Sequence, residues 1–155
     1  MSNSTPVSQK KYSQLCWEVE NLQNFLDEFD RPLNGELRSA QLGSTFEYIS
    51  VRNFPLPDQY SPDYIDLIVL TDMFPAVPPI GIYILSKRDK ILVNQIEERF
   101  NVFEDKAFHE APAIPGFTWI CTHYEKNAWK YCVDDPRKGD NVRKFLVNFY
   151  TDLMD

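Results

Sequence analysis

The sequence predicts an α+β domain in which helices pack against one antiparallel sheet. Three observations carry this. An apolar stripe at helical spacing opens the chain, three β-rich segments follow with short separators, and an amphipathic run closes it. The first stripe is Tyr12, Leu15, Cys16, Val19, Leu22, Leu26 and Phe29. Steps of three and four place these on one side of a helix over 12–29. "DRPLNGE" (30–36) ends it with proline, asparagine and glycine. Residues 1–11 are polar at the start and read as a disordered arm, leaving 12–155 as a single domain.

The strands come next. "TFEYISVRNFPLP" (45–57), "YIDLIVLTD" (64–72) and "IGIYIL" (80–85) are rich in β-branched and aromatic residues. "RSAQLG" (38–43) adds a fourth candidate. Short separators favour an antiparallel meander, so a sheet of about four strands is expected. "MFPAVPP" (73–79) interrupts the last two, and its three prolines cannot donate to a ladder. A weaker helical period runs through Ile91, Leu92, Ile96 and Phe100. "HEAPAIPG" (109–116) is a second proline-stiffened loop, leading into "FTWIC", a short extended segment. Asp140 then stands as an N-cap before Val142, Phe145, Leu146, Phe149, Tyr150 and Leu153, a long C-terminal helix.

Composition excludes several classes of function. The 155 residues include 11 Phe, 8 Tyr and 3 Trp, enough to build a core without disulfides or metal. A formal charge of −7, from 16 basic and 23 acidic side chains, argues against nucleic acid as a partner. The basic pairs Lys10-Lys11, Arg137-Lys138 and Arg143-Lys144 read most simply as solvated helix ends or loops. No run approaches the ~20 apolar residues that a membrane span needs, and no apolar signal core is present. A cytoplasmic location with reduced thiols is the expectation. Three cysteines without C-x-x-C spacing, and two histidines far from any Cys/Asp cluster, imply neither a metal nor another cofactor.

Cys121 is the candidate nucleophile. It ends the buried segment "FTWIC", and the chain turns polar at once in "THYEKN". A reactive thiol needs partial exposure and donors for the oxyanion formed on attack. His123, two residues on, would share its face if the chain stays extended, and His109 lies across the preceding loop. Either could assist proton transfer, although the plainer reading of each is a surface histidine. Cys16 lies on the first helical stripe and reads as core.

The order of motifs resembles a ubiquitin-conjugating enzyme, in particular the divergent bacterial branch of that superfamily. "MFPAVPPIGIYI" (73–84) is similar to the family's aromatic-Pro-x-x-Pro-Pro loop entering a strand, here Phe74, Pro75, Pro78 and Pro79. "ICTHYEKNAW" (120–129) is similar to its Ile-Cys followed eight residues later by tryptophan, here Trp129. A first helix, a meander and a long closing helix complete the pattern. The resemblance implies that Cys121 carries a ubiquitin-like protein as a thioester, received from an activating enzyme and passed to an amine on a target protein. It also implies a bacterial conjugation system of the kind linked to antiviral defence, with Lys10 and Lys11 suited to docking the activating enzyme.

Two departures stand out. Eukaryotic relatives carry His-Pro-Asn shortly before the cysteine, whereas "HEAPAIPG" has no asparagine. By resemblance His109 is its remnant and Asn127 a substitute. A helix-length insertion also separates Pro79 from Cys121. The competing expectations are a non-catalytic member of the superfamily that binds a ubiquitin-like protein or partner subunit, and, more remotely, a thiol-redox protein using Cys132.

Overall fold

The computed structural model describes residues 6–30, 35–85, 90–104, 111–122 and 129–154. The chain is α+β. Its elements are α1 (Pro6–Leu26), β1 (Ser39–Leu42), β2 (Tyr48–Pro55), β3 (Tyr64–Leu70), β4 (Ile82–Leu85), α2 (Lys90–Glu97), β5 (Asn101–Glu104), β6 (Phe117–Cys121) and α3 (Val142–Met154). A short 3-10 turn, Pro136–Lys138, precedes α3.

The strands form one six-stranded antiparallel sheet in the order β1-β2-β3-β4-β6-β5. The expected meander accounts for β1 to β4. Four strands was an undercount. From β4 the chain crosses through α2 to the far edge, forms β5, and returns as β6 between β4 and β5. Both added strands are short, and Asn101–Glu104 directly follows the helical period that runs to Phe100 in the sequence. The period changes there from 3.6 to 2. Val102 packs into the main core, whereas its neighbour Phe103 packs on the opposite face of the sheet.

All three helices cover one face. Leu15, Leu22 and Leu26 of α1, Leu92, Val93 and Ile96 of α2, and Phe145, Leu146 and Phe149 of α3 pack on Ile49, Val51, Leu67, Val69, Ile82, Ile84 and Ile120. The opposite face carries a smaller cluster of Tyr83, Trp119 and Cys121, flanked by Ile68, Leu70, Phe103, Ala111, Ile114 and Phe117. The near-continuous apolar character of β3 follows from this, since both of its faces are covered.

The helix ends depart from expectation in informative ways. α1 begins at Pro6, inside the stretch read as an arm, because proline is well suited to a first helical turn and the polar residues after it continue the helix. Tyr12 is 46% exposed and packs instead against Phe46, with ring centroids 5.0 Å apart. At α3 the cap is Asn141 rather than Asp140, since Asn141 Oδ1 accepts from Lys144 N at 2.8 Å. Asp140 is drawn away by other partners: its Oδ2 accepts from Lys130 N at 2.7 Å and its Oδ1 pairs with Lys144 Nζ at 3.1 Å. A second carboxylate serves the same helix end. Glu18 of α1 is fully buried, and its Oε2 accepts from Val142 N at 3.4 Å.

Candidate functional site around Cys121

Cys121 is the last residue of β6, a strand paired on both sides. Across from it on β5 is Asn101, and the neighbouring pair on the β4 side is Ile82 with Ile120. Alternation along β6 sends Ile120 into the helix-covered core and Trp119 and Cys121 to the opposite face. Cross-strand partners in a ladder point the same way, so Asn101 and Cys121 share a face.

The two tryptophans fix the proline loop to this strand. Trp119 Nε1 donates to Ile80 O at 2.8 Å, and Trp129 Nε1 donates to Pro75 O at 2.9 Å. Residues two before and eight after the cysteine thus grip the two ends of 75–80, whose Pro78 and Pro79 are buried. Gly81 makes the first contact possible. Its φ is +115°, and a Cβ there would collide with the Trp119 indole nitrogen. Phe74 anchors the other end of the loop, meeting Tyr131 edge-on at 5.1 Å. On the Cys121 face, the Tyr83 hydroxyl donates to Pro112 O and ties down the segment leading into β6. Burial pushes that hydroxyl's pKa up to about 12, so it stays a donor at any ordinary pH.

The sulfur is tucked in but not sealed off. Cys121 is 7% exposed and lines a cavity of about 190 Å³ with Glu97, Glu98, Arg99, Phe100 and Asn101. That wall is the turn between α2 and β5, and no pattern around the cysteine foretold it. The only available signal was the inserted segment itself, rich in charge at 97–99. Arg99 and Asn101 bring hydrogen-bond donors, and Glu97 and Glu98 bring carboxylates. Burial raises the Cys121 thiol above its ordinary pKa. The protonated form is therefore favoured, and the sulfur is not held as a thiolate in the resting protein.

Of the other candidates, His109, His123 and Asn127 lie outside the described residues. Lys11 donates from Nζ to Asp72 O at 2.8 Å, tying α1 to the start of the proline loop, while Lys10 is exposed. Cys16 and Cys132 are free and half-buried. Among the described residues no group of His, Cys, Asp and Glu could hold a metal ion, and no helix is long and apolar enough to cross a membrane. Comparison with family models, curated proteins and solved structures returns no match for this chain.

Proposed function

We propose that the protein is a ubiquitin-conjugating-type transferase of a bacterial conjugation system, carrying a ubiquitin-like protein as a thioester on Cys121. One observation supports this above the rest. The proline loop is held by the two indoles that flank Cys121 in sequence, Trp119 donating to Ile80 O and Trp129 to Pro75 O, across 39 and 54 residues of chain. The cytoplasm, where thiols stay reduced, is the compartment this chemistry needs.

The chemistry is two acyl transfers. Cys121 loses its proton and attacks the carbonyl of the activating enzyme's thioester, and that enzyme's thiolate departs. An amine of the target then attacks the Cys121 thioester, an oxyanion develops, and collapse expels the Cys121 thiolate, which takes up the proton that the nitrogen sheds as the amide forms. Asn101 and Arg99, which line the cavity with Cys121, carry donors that could serve such an oxyanion; one well-placed donor is worth about 3 kcal/mol. Glu97 and Glu98 suit the approach of a cationic amine. Arg99 adds positive charge for the oxyanion.

A second reading, a non-catalytic module that binds a ubiquitin-like protein, is favoured by the burial of Cys121 and its raised pKa. Charging separates the two. The protein is mixed with ATP and with the activating enzyme and ubiquitin-like protein encoded beside it. The transferase forms an adduct cleaved by thiols, lost in Cys121→Ala and kept in Cys16→Ala and Cys132→Ala. Binding of the ubiquitin-like protein without any adduct establishes the module instead.

A further inference from the structure

The basic pairs Arg137-Lys138 and Arg143-Lys144 lie at helix ends, as expected, with Arg137, Lys138 and Lys144 exposed, and the two pairs share a surface. The 3-10 turn Pro136–Lys138 and the first turn of α3 bring both pairs onto one cleft of about 590 Å³, closed on its other side by α1. Ten residues line it. Four of them are basic and one, Glu28, is acidic, in a chain where acidic side chains outnumber basic ones 23 to 16. Asp135 and Asp140, just outside the lining, pair with two of these cations, so the cleft keeps a small surplus of positive charge on an acidic molecule, and such a surplus concentrates anions at one place.

We propose that this cleft docks an acidic peptide segment of a partner protein. The way its cations are already held favours a peptide over a compact phosphate. Arg137 Nε pairs with Asp135 at 3.1 Å, Lys144 Nζ with Asp140 at 3.1 Å, and Arg143 with Glu28 at 3.6 Å. Each of these three cations is thus steered by a carboxylate, and Arg143 also donates from Nη1 to Asn21 O at 3.4 Å, so the remaining donors belong mainly to Arg137 and Lys144, whose side chains stay largely exposed. Lys138 makes no ion pair among the described residues. A single dianion needs donors converging on one point, whereas separate cations match carboxylates spaced along an extended chain.

The rest of the lining agrees. Phe25 and Val147 give an apolar floor, and the Arg143 guanidinium lies 5.6 Å over the Phe25 ring. Asn21 also lines the cleft and supplies an amide able to bond a peptide backbone. The cleft is built from α1, the 3-10 turn and α3, and Cys121 is not among its lining residues. The proposal therefore stands whether or not Cys121 is catalytic.

Amide chemical shifts of the labelled full chain, titrated with a Glu/Asp-rich peptide interspersed with leucine, test this. The expected result is saturable shifts confined to residues around Asn21, Phe25 and 137–147, weakened by added salt. The same peptide with Gln and Asn in place of its acids should produce none. Arg137→Glu with Lys138→Glu should weaken binding roughly tenfold or more, and Lys144→Gln, a milder change, by a smaller factor. No shifts, shifts elsewhere, or an affinity unchanged in both variants would overturn the proposal. So would tighter binding at these residues by inorganic phosphate or an oligonucleotide than by the peptide.

Discussion

Replacing Glu18 with glutamine should make this protein more stable in alkali, and the structure sets the size of the effect. Glu18 is fully buried between α1 and the start of α3, with Oε2 on the Val142 amide and no partner for Oε1 among the described residues. Burial raises its pKa from an ordinary 4.5 to about 8, partly opposed by the Val142 hydrogen bond. The unfolded chain therefore releases this proton near pH 4.5 and the folded chain near 8. Between those limits the folded state binds more protons, so its stability falls as pH rises. Below the lower limit the carboxyl is neutral in both states and no penalty exists. A gap of 3.5 units between the ordinary value and about 8 is worth at most about 5 kcal/mol, and relaxation around the carboxylate brings the expected loss to roughly 2–5 kcal/mol. Tyr131, whose own pKa is pushed up to about 12 with Glu18 contributing, does not ionise in this window. Glutamine keeps an acceptor for Val142 N and cannot charge. Urea denaturation at pH 5 and pH 8.5 should give Glu18→Gln near wild type in acid and more stable by that margin in alkali. A stability difference independent of pH would refute the reasoning.

Two further outcomes follow from the Cys121 region. Gly81→Ala should cost about 3 kcal/mol in urea denaturation, combining a backbone conformation reserved for glycine with loss of the Trp119 to Ile80 bond; a variant within ~0.5 kcal/mol of wild type would show that the indole moves aside freely. Alkylation of Cys121 by iodoacetamide, followed in a chain with Cys16 and Cys132 replaced by serine, should be slow near neutrality and still rising at pH 9, because burial disfavours the thiolate. A rate that levels off below about pH 8 would mean the thiol is activated rather than suppressed.

Much of the fold was legible because its core residues recur at periods of 3.6 and 2, as Leu15, Leu22 and Leu26 do on α1 and Ile65, Leu67 and Val69 on β3. Where reading failed, a contact distant in sequence had decided the matter. Asp140 and Asn141 are equally good caps in isolation, and only the Lys130 amide and Lys144 ammonium assign the first to another task. Nothing in the apolar periodicity singles out Glu18, because its burial comes from α3 closing over it. Cys121 was correctly placed at the end of a buried segment. Its surroundings were not, since Glu97 to Asn101 reach it through strand pairing across twenty residues of sequence.

The order of strands gives the sulfur and its surroundings unequal footing. β6 is laced to a neighbour on each side, whereas β5, which begins at Asn101, is an outermost strand of only four residues with a single neighbour. Peeling back an outermost strand breaks one ladder, and displacing an interior one breaks two. Amide protons on the β6 side should therefore outlast those of 98–102 in exchange with deuterated solvent, and the space beside Cys121 can widen by the yielding of one wall while the cysteine itself stays put.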